Sequence, residues 1–175
     1  MNYTLLEFDV LDSTNDFLKE HHPYFPQLTF VRANHQLKGR GQFDRVWESK
    51  ANQNLLFSVL LKKIKTRHLE QMKQWVLEGI VDLFEKHHVH AMFKEPNDLY
   101  IDDQKVAGIL IETATSFDTF DVVVIGVGIN INQTDFDLLN ATSLAIKTKK
   151  NYDLNTLFLS LVEHLTQTIP KSLLQ

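Results

Sequence analysis

The chain has 175 residues, 43% of them hydrophobic, which is enough for one domain with a real core. Its formal charge of −4 is mild and argues against bulk attraction to nucleic acid or an anionic membrane, so cations matter only where they cluster. The absence of cysteine excludes a disulfide framework, a thiolate nucleophile and Cys-ligated zinc, and it fits a reducing, cytoplasmic setting.

Residues 3–10 carry Leu5, Leu6, Phe8 and Val10 and read as a first strand, with no basic or long apolar leader before it. A short helix is expected from Ser13, whose hydroxyl can cap the first turn, and Pro23 and Pro26 end it. Leu28 to Ala33 is a second strand, and Leu55 to Leu61 is a continuous apolar run of the buried-strand type. Over residues 67–87, Leu69, Met72, Trp75, Val76, Ile80, Leu83 and Phe84 recur at helical spacing, so Trp75 belongs to the core and Gly79 to a close packing contact. Val89 to Phe93 is a short strand. Leu99 to Ile101 and Val106 to Thr113 form a hairpin, and Phe120 to Val127 is a β-branched strand. Residues 153–169 make a final amphipathic helix that Pro170 terminates. No apolar run is long enough to span a bilayer. The expected fold is α+β, a mixed and largely antiparallel sheet with a few packed helices.

Five segments carry candidate chemistry. The loop Lys38–Trp47 joins Gly39 and Gly41 to Lys38, Arg40 and Arg45 and ends in an indole. Glycines admit an anion to backbone N–H groups, guanidinium groups pair with carboxylate or phosphate, and Trp47 can stack on a base. The alternative for a lone G-R-G is a solvated basic turn. In Lys94-Glu95-Pro96-Asn97-Asp98-Leu99-Tyr100, Asp98 can accept from a ribose hydroxyl or help place Mg²⁺, or simply serve the turn. Lys105 opens an apolar strand that contains Gly108; it can aim a charge at a substrate oxygen, although a solvated hairpin lysine is common. Gly126-Val127-Gly128-Ile129-Asn130 can present backbone and an amide to an adenine edge, but it is too short for a dinucleotide fingerprint. Ser13-Thr14-Asn15 follows a strand with three hydrogen-bonding side chains, which a helix cap also explains. The pairs His21-His22 and His87-His88 sit at helix ends without metal-ligand spacing, so no resident metal is expected.

Taken together and in this order, Asp12-Ser13-Thr14-Asn15, Gln36 with Gly39-Arg40-Gly41 and Arg45-x-Trp47, Lys94-x-Pro96-Asn97-Asp98-Leu99-Tyr100, Lys105-x-Ala107-Gly108-Ile109-Leu110-Ile111-Glu112 and Gly126-x-Gly128-Ile129-Asn130-x-Asn132 resemble the catalytic domain of biotin protein ligases, in the biotin/lipoate ligase superfamily. The resemblance runs from about residue 7 to about residue 145. It implies a class II synthetase-like core that activates biotin with ATP to biotinyl-5′-AMP and transfers biotin to a lysine of a biotin carboxyl carrier domain, of acetyl-CoA carboxylase or another biotin-dependent carboxylase. By resemblance, Arg40 and Lys105 are catalytic, facing the biotin carboxylate and the α-phosphate. Ser13, Thr14, Asn15, Gln36, Gly39, Gly41, Gln42 and Gly108 join them along the biotin pocket. Arg45, Trp47, Asn97, Asp98 and Asn130 meet the nucleotide, with Mg²⁺ accompanying ATP near Asp98. A homodimer is compatible with the family.

Three positions depart from the family pattern, of which Asp44, in place of a frequent small or amide residue, is expected to be tolerated. Gln42 stands where a second arginine is usual, which is expected to loosen the hold on biotinyl-AMP, and Glu95 replaces a tryptophan and is expected to add negative charge near an anionic substrate. The single expected domain, 1–175, lacks the N-terminal helix-turn-helix and C-terminal β-barrel of some relatives. A lipoate-type ligase of the same fold and a non-catalytic paralogue that binds biotin or nucleotide are the alternatives.

Overall fold

A computed structural model describes residues 2–43, 45–137 and 140–174, so Asp44 lies outside the described residues. Strand β1 (Thr4–Leu11) leads into helix α1 (Thr14–His21), which Ser13 caps by accepting from the Asp16 N–H at 3.3 Å. A turn of 3₁₀ helix over His22–Tyr24 follows, as the prolines require. The chain returns as β2 (Thr29–Gln36), parallel to β1, with α1 supplying the crossover that a parallel pair needs. The later strand-to-strand pairings among the described residues are antiparallel: β3 (Leu55–Lys65), β4 (Met92–Lys94), β5 (Asp98–Ile101), β6 (Gln104–Ser116) and β7 (Thr119–Ile129) complete a sheet of order β1-β2-β3-β7-β6-β5-β4. Helices α2 (Leu69–Glu85), α3 (Leu144–Thr148) and α4 (Leu154–Thr168) complete the domain.

The two faces of the sheet differ. Phe57, Val59, Leu61, Val123, Ile125 and Val127 pack with Trp75, Ile80, Phe84, Phe158, Leu161 and Leu165 of α2 and α4 into the main core. On the other face Val31, Leu60, Val122 and Val124 pack with Leu18 of α1. With apolar cover on both sides, β3 reads from Leu55 to Leu61 as an apolar run interrupted only by Ser58, rather than as an alternating one. Gly79 lets α2 approach α4, since a Cβ there would stand 2.7 Å from Leu165, and Trp75 Nε1 donates to the Leu165 carbonyl at 3.0 Å.

Several boundaries differ from expectation. The β4 strand covers Met92–Lys94, whereas Val89 and Ala91 are buried in the core without strand pairing. The β7 strand runs on to Ile129 because β3 and β6 both pair with it there, so Gly126 and Gly128 lie inside the sheet. Helix α3 was not expected; it is a single short turn capped by Ser143, too brief to show a periodicity.

Candidate active site

Strand register builds the floor. Gly108 of β6 pairs with Gly128 of β7, and Gly128 pairs with Leu56 of β3. One step along, Leu110 pairs with Gly126 and Gly126 with Ser58. Glycines that are far apart in sequence thus meet on the face that α1 only partly covers. The result is a cavity of about 690 Å³, within the range of small-molecule sites.

The glycine loop forms the cavity's lip as a small hairpin. Arg40 bridges Val46, the Gly41 N–H donates to the Arg45 carbonyl at 2.7 Å, and the Trp47 N–H donates to the Gly39 carbonyl at 2.9 Å. Gly39 is required by the crossing, since a Cβ there would stand 2.6 Å from the Trp47 carbonyl oxygen. The indole of Trp47 rests on Gly108 and Gly128, and its Nε1 is buried with no hydrogen-bond partner among the described residues. Lys105 Nζ lies 5.3 Å from the Trp47 ring centroid and 2.8 Å from Asp98 Oδ1.

Of the residues singled out in the sequence, Thr14, Gln36, Arg40, Gly41, Gln42 and Arg45 line this cavity, as do Trp47, Asp98, Lys105, Gly108 and Asn130. Arg40 and Lys105 therefore border one space. Gln36 Oε1 accepts from both the N–H (2.8 Å) and the hydroxyl (3.0 Å) of Thr14, which ties β2 to the start of α1. Asn130 borders the cavity, but its amide donates to the Thr142 carbonyl at 3.1 Å. Ser13, Asn15, Gly39 and Asn97 are not part of the wall. Ser13 caps α1, Gly39 backs the loop, and the Asn97 carbonyl accepts the Ile109 N–H at 2.9 Å. Glu95 is exposed and lies outside the cavity wall.

Beneath the loop is a charged network. The Arg40 guanidinium donates to Asp16 (Nη2–Oδ1 2.6 Å, Nε–Oδ2 3.3 Å) and to Glu112 Oε2 (2.7 Å). Glu112 also accepts from Asn15 Nδ2 and Lys19 Nζ, each at 2.8 Å, while Ser58 Oγ lies 2.5 Å from Asn15 Oδ1. Burial pushes the Glu112 carboxyl up, but the hydrogen bonds from Arg40, Lys19 and Asn15 together with the Arg40 charge outweigh it and hold it below its ordinary value. Arg40 is raised, chiefly by its bond to Glu112.

Sequence reasoning assigned no role to Asp16, Lys19, Glu112 or Ser58. A signal existed for Glu112, since residues 108, 110 and 112 of one strand share a face. No signal existed for the other wall, where Lys50 pairs with Asp135 at 2.7 Å and Gln133 accepts from the Lys50 N–H at 3.1 Å. Among the described residues no group of three or more His, Cys, Asp or Glu side chains is placed to hold a metal. His87 sits in a basic hollow with Lys86, His88, Lys147 and Lys150. Burial, then the charges of Lys150, His88 and Lys86, hold it below its ordinary value.

Sheet order, glycine floor and basic lip together define a biotin/lipoate-type ligase core. The chain belongs to the Biotin/lipoate A/B protein ligase family, which matches residues 7–130. It is 33% identical over 140 residues to the bifunctional ligase/repressor BirA of Bacillus subtilis, covering 78% of this chain and 43% of that protein. It is 30% identical over 162 residues to BirA of Escherichia coli, covering 89% and 50%. Among solved structures, the biotin protein ligase from Aquifex aeolicus in complex with biotin and ATP superposes with a TM-score of 0.80 at 29% identity, over 94% of this chain and 69% of that one. The chain spans about half the length of the curated relatives it matches.

Proposed function

We propose that this chain is the catalytic core of an ATP-dependent biotin–[acetyl-CoA-carboxylase] ligase, which forms biotinyl-5′-AMP and passes biotin to a lysine of a carrier domain of a biotin-dependent carboxylase. The observation that carries the reading is the placement of Lys105 and Arg45 with the Lys38–Trp47 loop around one glycine-floored cavity, in a chain similar to a ligase solved with biotin and ATP.

The chemistry asks for this arrangement. A carboxylate must approach an α-phosphate, and two like charges 4 Å apart repel by about 4 kcal/mol at an effective dielectric of about 20. Fixed cations offset that cost without a covalent enzyme intermediate. In this reading Lys105 stands at the junction of the two anions, and Asp98 aims its ammonium. Gln36 is oriented by its bonds to Thr14, which leaves its amide nitrogen to donate to biotin. Gly41 and Gln42 complete the biotin side, and Arg45, Trp47 and Asn130 the nucleotide side. Mg²⁺ would arrive on ATP. Asp98 Oδ1 is paired with Lys105, so Oδ2 is the oxygen that would face a cation accompanying ATP.

Calorimetric titration tests the reading. Biotin binding that tightens when ATP is also present supports it. Binding of lipoate in preference to biotin, or of neither, overturns it.

A further inference from the structure

We infer that Glu112 and Asp16 are positioning residues that clamp the Arg40 guanidinium, so that Arg40 serves the ligand by holding the glycine loop in place rather than by presenting its own charge. This rests on the biotin-ligase reading above and departs from the expectation that Arg40 faces the reacting anions.

The geometry carries it. Three of the guanidinium's hydrogen bonds are spent on carboxylates, two on Asp16 of α1 and one on Glu112 of β6. Lys19 joins the same two carboxylates, at 3.3 Å from Asp16 and 2.8 Å from Glu112. Two cations and two anions make a neutral group, which exerts little field on an incoming phosphate. Glu112 is the hub: its two oxygens take Arg40, Asn15 and Lys19, and its side chain is only 21% exposed. A carboxylate that accepts several charge-assisted bonds holds its partners in one geometry, whereas an isolated surface pair would not. Arg40 is also the residue through which the loop is pinned. It bridges Val46, one residue before Trp47, so the clamp fixes the arm that sets the indole on Gly108 and Gly128 and brings Arg45 to the cavity. At its start the loop is held by backbone bonds from Leu37 to Leu11 (2.9 Å) and from Lys38 to Asp12 (2.8 Å) and by the exposed Lys38–Asp12 ion pair (2.7 Å), none of which reaches the arm that carries Arg45 and Trp47. Without the clamp, the ligand would have to order the loop on binding, which lowers affinity and leaves the bound reaction unchanged.

The test is a double-mutant cycle of Arg40→Gln and Glu112→Gln, read by biotin-dependent ATP–pyrophosphate exchange and by chymotryptic cleavage after the exposed Phe43 in the absence of substrates. The clamp predicts that each single variant raises KM for biotin about tenfold and leaves kcat within about twofold. The double variant should be no worse than the poorer single, and all three should be cleaved several-fold faster than the parent. Asp16→Asn should show the same pattern, more weakly. A hundredfold loss of kcat in Arg40→Gln with Glu112→Gln unaffected overturns the clamp and returns Arg40 to direct contact; unchanged cleavage overturns it as well. If the parent shows no exchange, the ligase reading falls, and the cleavage rates alone decide the clamp.

Discussion

Gly128 lies directly beneath the indole of Trp47: a Cβ on this glycine would stand 2.7 Å from both Cζ2 and Nε1 of the ring. No real contact is that short, so the indole occupies its place because β7 carries no side chain there. Gly128→Ala should lift Trp47 off the floor. The expected cost is about 1–3 kcal/mol of overpacking, together with a red shift of tryptophan emission, since Trp75 stays buried and reports nothing. Unchanged emission and unchanged nucleotide affinity would show that the ring does not depend on the glycine.

Gln42 lines the cavity where related ligases usually carry a cation. A guanidinium at this position would add charge-assisted bonds to a bound acyl-adenylate. Gln42→Arg should therefore slow the escape of biotinyl-AMP, by about tenfold if one such bond forms. Stopped-flow or filter-retention measurement of the intermediate's off-rate checks this; equal off-rates would mean that the loop backbone, not this side chain, retains the intermediate.

Glu112 makes the clamp sensitive to acid. Its carboxyl is held below the ordinary 4.5. A depressed folded-state value means that its contribution is fully present above 4.5 and is lost as pH falls below that through the folded value. At pH 7 Glu112→Gln should melt about 2–4 °C below the parent, which is what roughly 1 kcal/mol amounts to in a domain of this size. The gap should close as pH is lowered below 4.5, because the parent's carboxylate is then protonated too. Parallel melting curves that keep the same separation down to pH 3 would contradict the assignment. Asp118, Asp121 and Asp135 are also depressed, but they are present in both proteins and drop out of the difference.

The sequence showed the long helix α2, the buried strands and the loop Lys38–Trp47, because each has a local cause: periodicity, continuous apolar residues, and glycine beside charge. It did not show what the glycines of β6 and β7 do together. Gly108, Gly126 and Gly128 become a floor only through strand register, which is a long-range property. The network around Glu112 was hidden for the same reason, since its partners Asn15, Lys19 and Arg40 lie 97, 93 and 72 residues away. Asn97 lies next to Asp98 in the motif, yet it is buried outside the cavity wall, with its carbonyl accepting the Ile109 N–H. Motif adjacency does not determine facing, because neighbouring residues of a strand or turn point to opposite sides.

The central claim is that Lys105 and the residues around it join biotin to ATP. Exchange of labelled pyrophosphate into ATP, measured with biotin, with lipoate and with neither, tests it most directly, in the parent and in Lys105→Met. The account predicts exchange that requires biotin, is not supported by lipoate, and falls by about 10²–10³-fold in Lys105→Met while the melting temperature stays close to the parent's. Exchange driven by lipoate, exchange that is absent with biotin, or full activity in Lys105→Met would contradict it.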